Sequence, residues 1–170
     1  YNCTLLWTAT VPDSTRMMLS HNAGFMAAAD DVLFVAANHA CRMLDANTGD
    51  VLHEFADTDS ENDWGYVGTT GDYLLGSGQK TPADEYSGGR RREGYRFLVS
   101  ARDLRSRPAV SDNLFACDYS TKSLKWKYQR SSVILNSTIV VGADRVYFAE
   151  SGNPDVIQDS SGTAHLPDFF

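Results

Sequence analysis

"CRMLDANTGDVLHEF", residues 41 to 55, and "LFACDYSTKSLKWKY", residues 114 to 128, are two copies of one pattern. Asp45 aligns with Asp118 and Thr48 with Thr121, His53 stands where the second copy has Trp126, and Phe55 matches Tyr128. Each copy is an apolar stretch, a polar tight turn and a second apolar stretch, the form of a β-hairpin. The turn chemistry accounts for the polar residues. The Asp carboxylate at the turn entrance accepts backbone N–H bonds, the Thr hydroxyl does the same, and Gly49 supplies a positive φ that a β-carbon resists. Lys122 holds the Gly position in the second copy, so that turn is expected to be looser or strained. Asp45, Thr48, Gly49, Asp118, Thr121 and Trp126 are therefore read as shapers of the fold, not as a site.

Working outward, a second kind of hairpin accompanies these. "FMAAADDVLFVAANHA" from Phe25, "YVGTTGDYLLGSGQK" from Tyr66 and "IVVGADRVYFAESGNPD" from Ile139 each join two apolar strands through a turn carrying Asp. Two hairpins in succession make a four-stranded antiparallel unit, and repetition of such units is the signature of a β-propeller. Helical periodicity is nearly absent, which supports an all-β fold of about two and a half blades. Residues 1–155 read as a partial propeller: one blade over about 20–58, a second over about 63–130 with an insertion at 78–112, and a partial blade over about 133–152. A polar tail follows at 153–170, and "LLWTATV" (Leu5 to Val11) reads as the outer strand of a preceding unit.

Bulk properties narrow the function classes. The formal net charge of -7 opposes non-specific binding to nucleic acid or anionic lipid, both of which need a positive field. No apolar run is long enough to span a bilayer. Cys3, Cys41 and Cys117 have neither CxxC nor zinc-ligand spacing. They read as one disulfide plus a thiol or as three thiols, with burial as small apolar side chains favoured. The start at Tyr1, without an initiator Met or a leader pattern, reads as a mature, trimmed or excised segment.

The stretch "LFVAANHACRMLDANTGDVLHEF" resembles the repeat of PQQ-like β-propellers, the quinoprotein alcohol dehydrogenase-like superfamily, through Leu44, Asp45, Ala46, Thr48 and Gly49. Asp118, Thr121 and Trp126 carry the likeness in the second copy, and it covers about residues 5 to 150. The Trp that such proteins use to wedge adjacent blades is His53 in the first copy, whereas Trp7 and Trp126 take that place elsewhere. Quinone-dependent members hold their cofactor with adjacent cysteines, a stacking Trp and a bound calcium ion; this chain has no Cys-Cys pair and no recognisable calcium constellation. Other members bind no quinone and act as scaffolds, as the outer-membrane assembly lipoprotein does. A propeller closes with about four or more blades. The resemblance thus implies a fragment of a longer propeller, or a partner that completes the ring, in an extracytoplasmic, periplasmic setting.

Candidate sites fall on the rim, where loops joining strand two to strand three meet the links between blades. His21, Asn22, Asn38, His39, Trp64, Arg90, Arg91, Arg92, Arg96 and Asn153 are the candidate binding residues there. His21 and His39 become metal ligands only if Asp63 or Glu150 converges on them; a lone loop His is most often solvated. Trp64 with Tyr66 can stack a flat ring, although an inner-strand aromatic is more often packing. The insertion "SGGRRREGYRFLVSARDLRSRP" offers an arginine cluster for an anion or an acidic partner through charge-assisted bonds, against the plainer reading of a solvated loop. "NCT" at Asn2 and "NST" at Asn136 match glycosylation acceptors too short to carry weight. The reading is a non-catalytic binding or scaffold propeller segment with no cofactor, contacting a protein through rim loops or by completing the ring. The alternatives are a fragment of a PQQ- and calcium-dependent alcohol dehydrogenase, and a propeller domain appended to an unrelated enzyme.

Overall fold

The computed structural model describes residues 5–12, 14, 25–56, 62–79, 110–142 and 144–158. The chain is all-β, built as antiparallel blades of a β-propeller. The first sheet has strand order β1-β2-β3-β4, from β1 (Met26–Ala29), β2 (Val32–Ala37), β3 (Ala40–Asp45) and β4 (Val51–Ala56). The second follows the same course through β5 (Asp63–Thr70), β6 (Tyr73–Gln79), β7 (Val110–Asp118) and β8 (Ser123–Leu135). A short hairpin of β9 (Val140–Val141) and β10 (Val146–Tyr147) begins a third unit. β11 (Glu150–Ser151) then pairs with β8, and the helix α1 (Pro154–Gln158) ends the described chain.

Turn residues fix these registers. Asp30 and Asn38 sit at φ 47° and 48° in the left-handed region, which Asp and Asn tolerate better than other β-carbon residues. Lys122 takes the same conformation at φ 58°, against 81° for Gly49, so its turn is strained and not looser. Such a backbone costs a residue with a β-carbon roughly 1 kcal/mol.

Two expectations about boundaries change. β8 runs on to Leu135 because its end has its own apolar support: Val133 and Leu135 cluster with Val110 and, from α1, Val156. Leu5 to Val11 forms no strand ladder among the described residues. Side chains hold it to the first blade instead. The Trp7 indole N–H donates to the Ala46 carbonyl at 2.8 Å, and Arg42 Nη1 donates to the Pro12 carbonyl at 2.6 Å. The Trp7 ring rests on Gly49, where a β-carbon would come within 2.7 Å of Trp7 Cε3. Glycine is therefore required twice at this position, once for φ and once for the indole.

The main core is the seam between blades. Phe34, Ala36, Cys41 and Phe55 of the first sheet pack with Trp64, Val67, Leu74, Phe115 and Cys117 of the second. Phe34 lies 5.3 Å from Tyr119, and Trp64 meets Phe115 edge-on at 4.8 Å between ring centres. Gly76 makes that second contact possible, since a β-carbon there would stand 2.6 Å from Phe115 and closer still to Trp64. Cys41 and Cys117 are buried, unbridged cysteines within the seam, and burial pushes the Cys41 thiol far above its ordinary range. They serve as small apolar side chains; Cys3 lies outside the described residues.

Gly76→Ala should destabilise the protein by about 1–3 kcal/mol, the usual cost of overpacking, which chemical denaturation will measure. Cys41 and Cys117 should resist a thiol reagent at neutral pH until the chain unfolds; reaction at the rate of an exposed cysteine would show that the seam is open.

Candidate functional site

Antiparallel order puts the turns within each hairpin at one end of a blade. The β2–β3 connection, the end of β4, the start of β5, the end of β6 and the start of β7 lie at the other end, the rim. There Asn38 and His39 come together with the start of β5. His39 Nδ1 stands 3.3 Å from Asp63 Oδ1, with the imidazole 65% exposed and the carboxylate 9%. The Trp64 N–H donates to the Asn38 carbonyl at 2.6 Å, and Asn62 Nδ2 donates to both carboxylate oxygens of Asp112 at 3.2 Å.

Buried polar side chains gather at this same end of the second blade: Asp63, Ser77, Ser111, Asn113, Asn136 and Ser151. The Ser77 and Ser111 hydroxyls are 2.8 Å apart, and Asn113 Oδ1 accepts the Gly78 N–H at 2.7 Å. Asn113 Nδ2 and both polar atoms of the Asn136 side chain have no hydrogen-bond partner among the described residues. Burying such atoms costs about 1–3 kcal/mol each. Sequence reading passed over this group, because a polar residue inside an apolar strand becomes informative only once its neighbours are known.

The rim residues named from sequence divide into three groups. Asn38 and His39 are brought to Asp63. Trp64 requires a correction: it is 1% exposed, donates its indole N–H to the Tyr66 carbonyl at 2.8 Å and packs on Phe115, so no ring can stack on it. Asn153 caps α1, its Oδ1 accepting the Asp155 N–H at 3.1 Å. His21, Asn22, Arg90, Arg91, Arg92 and Arg96 lie outside the described residues. Of the two carboxylates expected to join a histidine, Asp63 does so, whereas Glu150 accepts from Tyr128 at 2.7 Å and Ser132 at 2.9 Å. Among the described residues no three His, Cys, Asp or Glu side chains are grouped to hold a metal.

The turn residues behave as punctuation. Asp45 Oδ1 accepts the N–H groups of Asn47 and Thr48 at 2.7 and 3.0 Å, and Thr48 Oγ1 bonds Asp50. Asp118 Oδ1 repeats the arrangement with Ser120 and Thr121, and Lys125 stands 3.2 Å from its other oxygen. The Thr121 N–H first, then the Ser120 hydroxyl and Lys125, hold the Asp118 carboxyl well below the usual carboxylate range.

A second feature lies on the flank of the second blade. A groove of about 430 Å³ separates β6–β8 from the β9–β10 hairpin, floored by Leu75, Leu114 and Ala116. Tyr73, Trp126 and Tyr128 wall one side, and Val146, Phe148 and Arg145 the other. Tyr128 and Phe148 close its inner end with ring centres 5.2 Å apart. Tyr73 and Trp126 remain 43% and 40% exposed.

No family model and no curated protein matches the sequence. Among solved structures the chain is similar to BamB from Moraxella catarrhalis, at 16% identity and a TM-score of 0.34 over 76% of this chain and 44% of that one. It is also similar to the computationally designed Ika8 protein, at 11% identity and a TM-score of 0.29 over 64% of this chain and 41% of that one. The chain spans less than half the length of either.

Because the folded Asp118 pKa is depressed, its charge stabilises the fold above the ordinary carboxylate range, and that contribution is lost as pH falls through the folded value. Asp118→Asn should therefore be less stable than the parent at pH 7, and the gap should narrow below about pH 4. Denaturant titrations of both proteins across pH will check this.

Proposed function

We propose that this chain is a non-catalytic, partner-binding segment of a β-propeller, engaging protein through its rim and its open flank. The observation that carries the reading is the uncovered groove on the second blade. Large apolar side chains half open to solvent along one sheet face make an association surface.

The acidic net charge fits a protein partner better than a nucleic acid. No helix among the described residues is long and apolar enough to cross a membrane. A periplasmic setting, with scaffolding as the role, follows from the sequence resemblance to PQQ-like propellers. The arginines of the insertion add positive charge, in sequence, suited to an acidic partner.

The intact chain mixed with PQQ and calcium should show no quinone redox spectrum and no dye-linked alcohol oxidation. Turnover in that assay would replace this reading with the quinoprotein dehydrogenase.

A further inference from the structure

We propose that the outer edge of β8 takes up an extended strand from a protein partner, a strand in which acidic and apolar residues alternate. This rests on the protein-binding reading above and names the chemistry of the partner.

β8 is the open margin of the second sheet. It pairs with β7 on one side along its length. On the other side β11 takes only Val133 and Ile134, so Ser123 to Gln129 have no strand beside them among the described residues. Such an edge turns backbone N–H and C=O groups outward, and an added strand would pair with them.

Charge selects the strand. From Tyr119 to Leu135 the chain carries Lys122, Lys125, Lys127 and Arg130 and no acidic residue, in a protein of net charge -7. Asp118 offsets part of this charge, its Oδ2 standing 3.2 Å from Lys125 Nζ. The equivalent margin of the first blade, β4, has no lysine or arginine, and its Glu54 is held by Arg42 at 3.1 Å. The positive margin therefore belongs to the second blade and not to the repeat. Lysines on an edge ordinarily keep other edges from pairing with it. Like charges placed opposite each other destabilise a strand pair, so β8 repels the same edge of a second copy and favours a strand bearing Asp or Glu.

The pairing sets the alternation. Trp126 and Tyr128 lie opposite Ala116 and Leu114 and wall the groove. Lys127 lies opposite Phe115, which belongs to the seam, and so stands on the other face of the sheet. A strand laid along β8 would set apolar residues beside Trp126 and Tyr128 and acidic residues beside Lys127. Trp126, 40% exposed, would gain cover from the first set.

The test uses the full chain and a short peptide that alternates Glu with Leu and Phe. Calorimetry should show one-to-one binding that weakens as salt rises, and hydrogen exchange should slow in β8 but not in β4. Replacing the peptide's Glu residues by Lys, or Lys127→Glu in a protein shown by its thermal melt to be folded, should weaken binding by about tenfold or more. The same residues arranged as one acidic and one apolar block keep the charge and lose the alternation. Equal binding by that peptide overturns the proposal in favour of plain charge attraction. No binding of the alternating peptide, or protection that falls on β4, overturns it as well. If the peptide fails while the PQQ and calcium assay stays silent, only the partner's chemistry is wrong; alcohol oxidation would overturn the reading beneath it.

Discussion

Phe34, Cys41 and Phe55 on one sheet meet Trp64, Phe115 and Cys117 on the next, and this apolar seam carries the architecture. A four-stranded antiparallel sheet of short strands cannot bury both faces by itself. The first blade gains its core from the second, and the second must find cover for its other flank.

The same constraint explains the details at the edges. Gly76 is small so that Trp64 and Phe115 can meet, and Gly49 is bare so that Trp7 can lie flat. Lys122 stands in the second copy where the first has Gly49, and it takes a positive φ all the same. Arg42 adds a polar tie, holding Glu54 at 3.1 Å across the β3–β4 pair while reaching Pro12. Turn chemistry and blade packing are thus one problem, solved twice with different residues.

Much of this was legible in the sequence. The paired copies around Asp45 and Asp118 gave the hairpins, and Asp, Thr and Gly at fixed offsets gave the turns, because local hydrogen bonds decide these features. The four-stranded first sheet, the β5–β8 run of the five-stranded second sheet and the third hairpin follow that pattern. What escaped depends on contacts between elements. Trp64 looked available at a blade-to-blade link, yet the space beside Gly76 draws it inside. Asn113 and Asn136 are ordinary residues in the sequence and become notable only when burial leaves Asn113 Nδ2 and the Asn136 amide without a partner among the described residues. The groove was visible only as Trp126, since Tyr73, Leu75 and Tyr128 become a surface through the register that joins them.

Native-state hydrogen exchange tests the seam most directly. If the blades stand only against each other, the amides of Ala36 and Cys41 in the first and of Leu74 and Phe115 in the second will exchange through one shared opening of equal free energy. Exchange of the first blade through its own opening of lower energy, with the second still protected, would contradict the account.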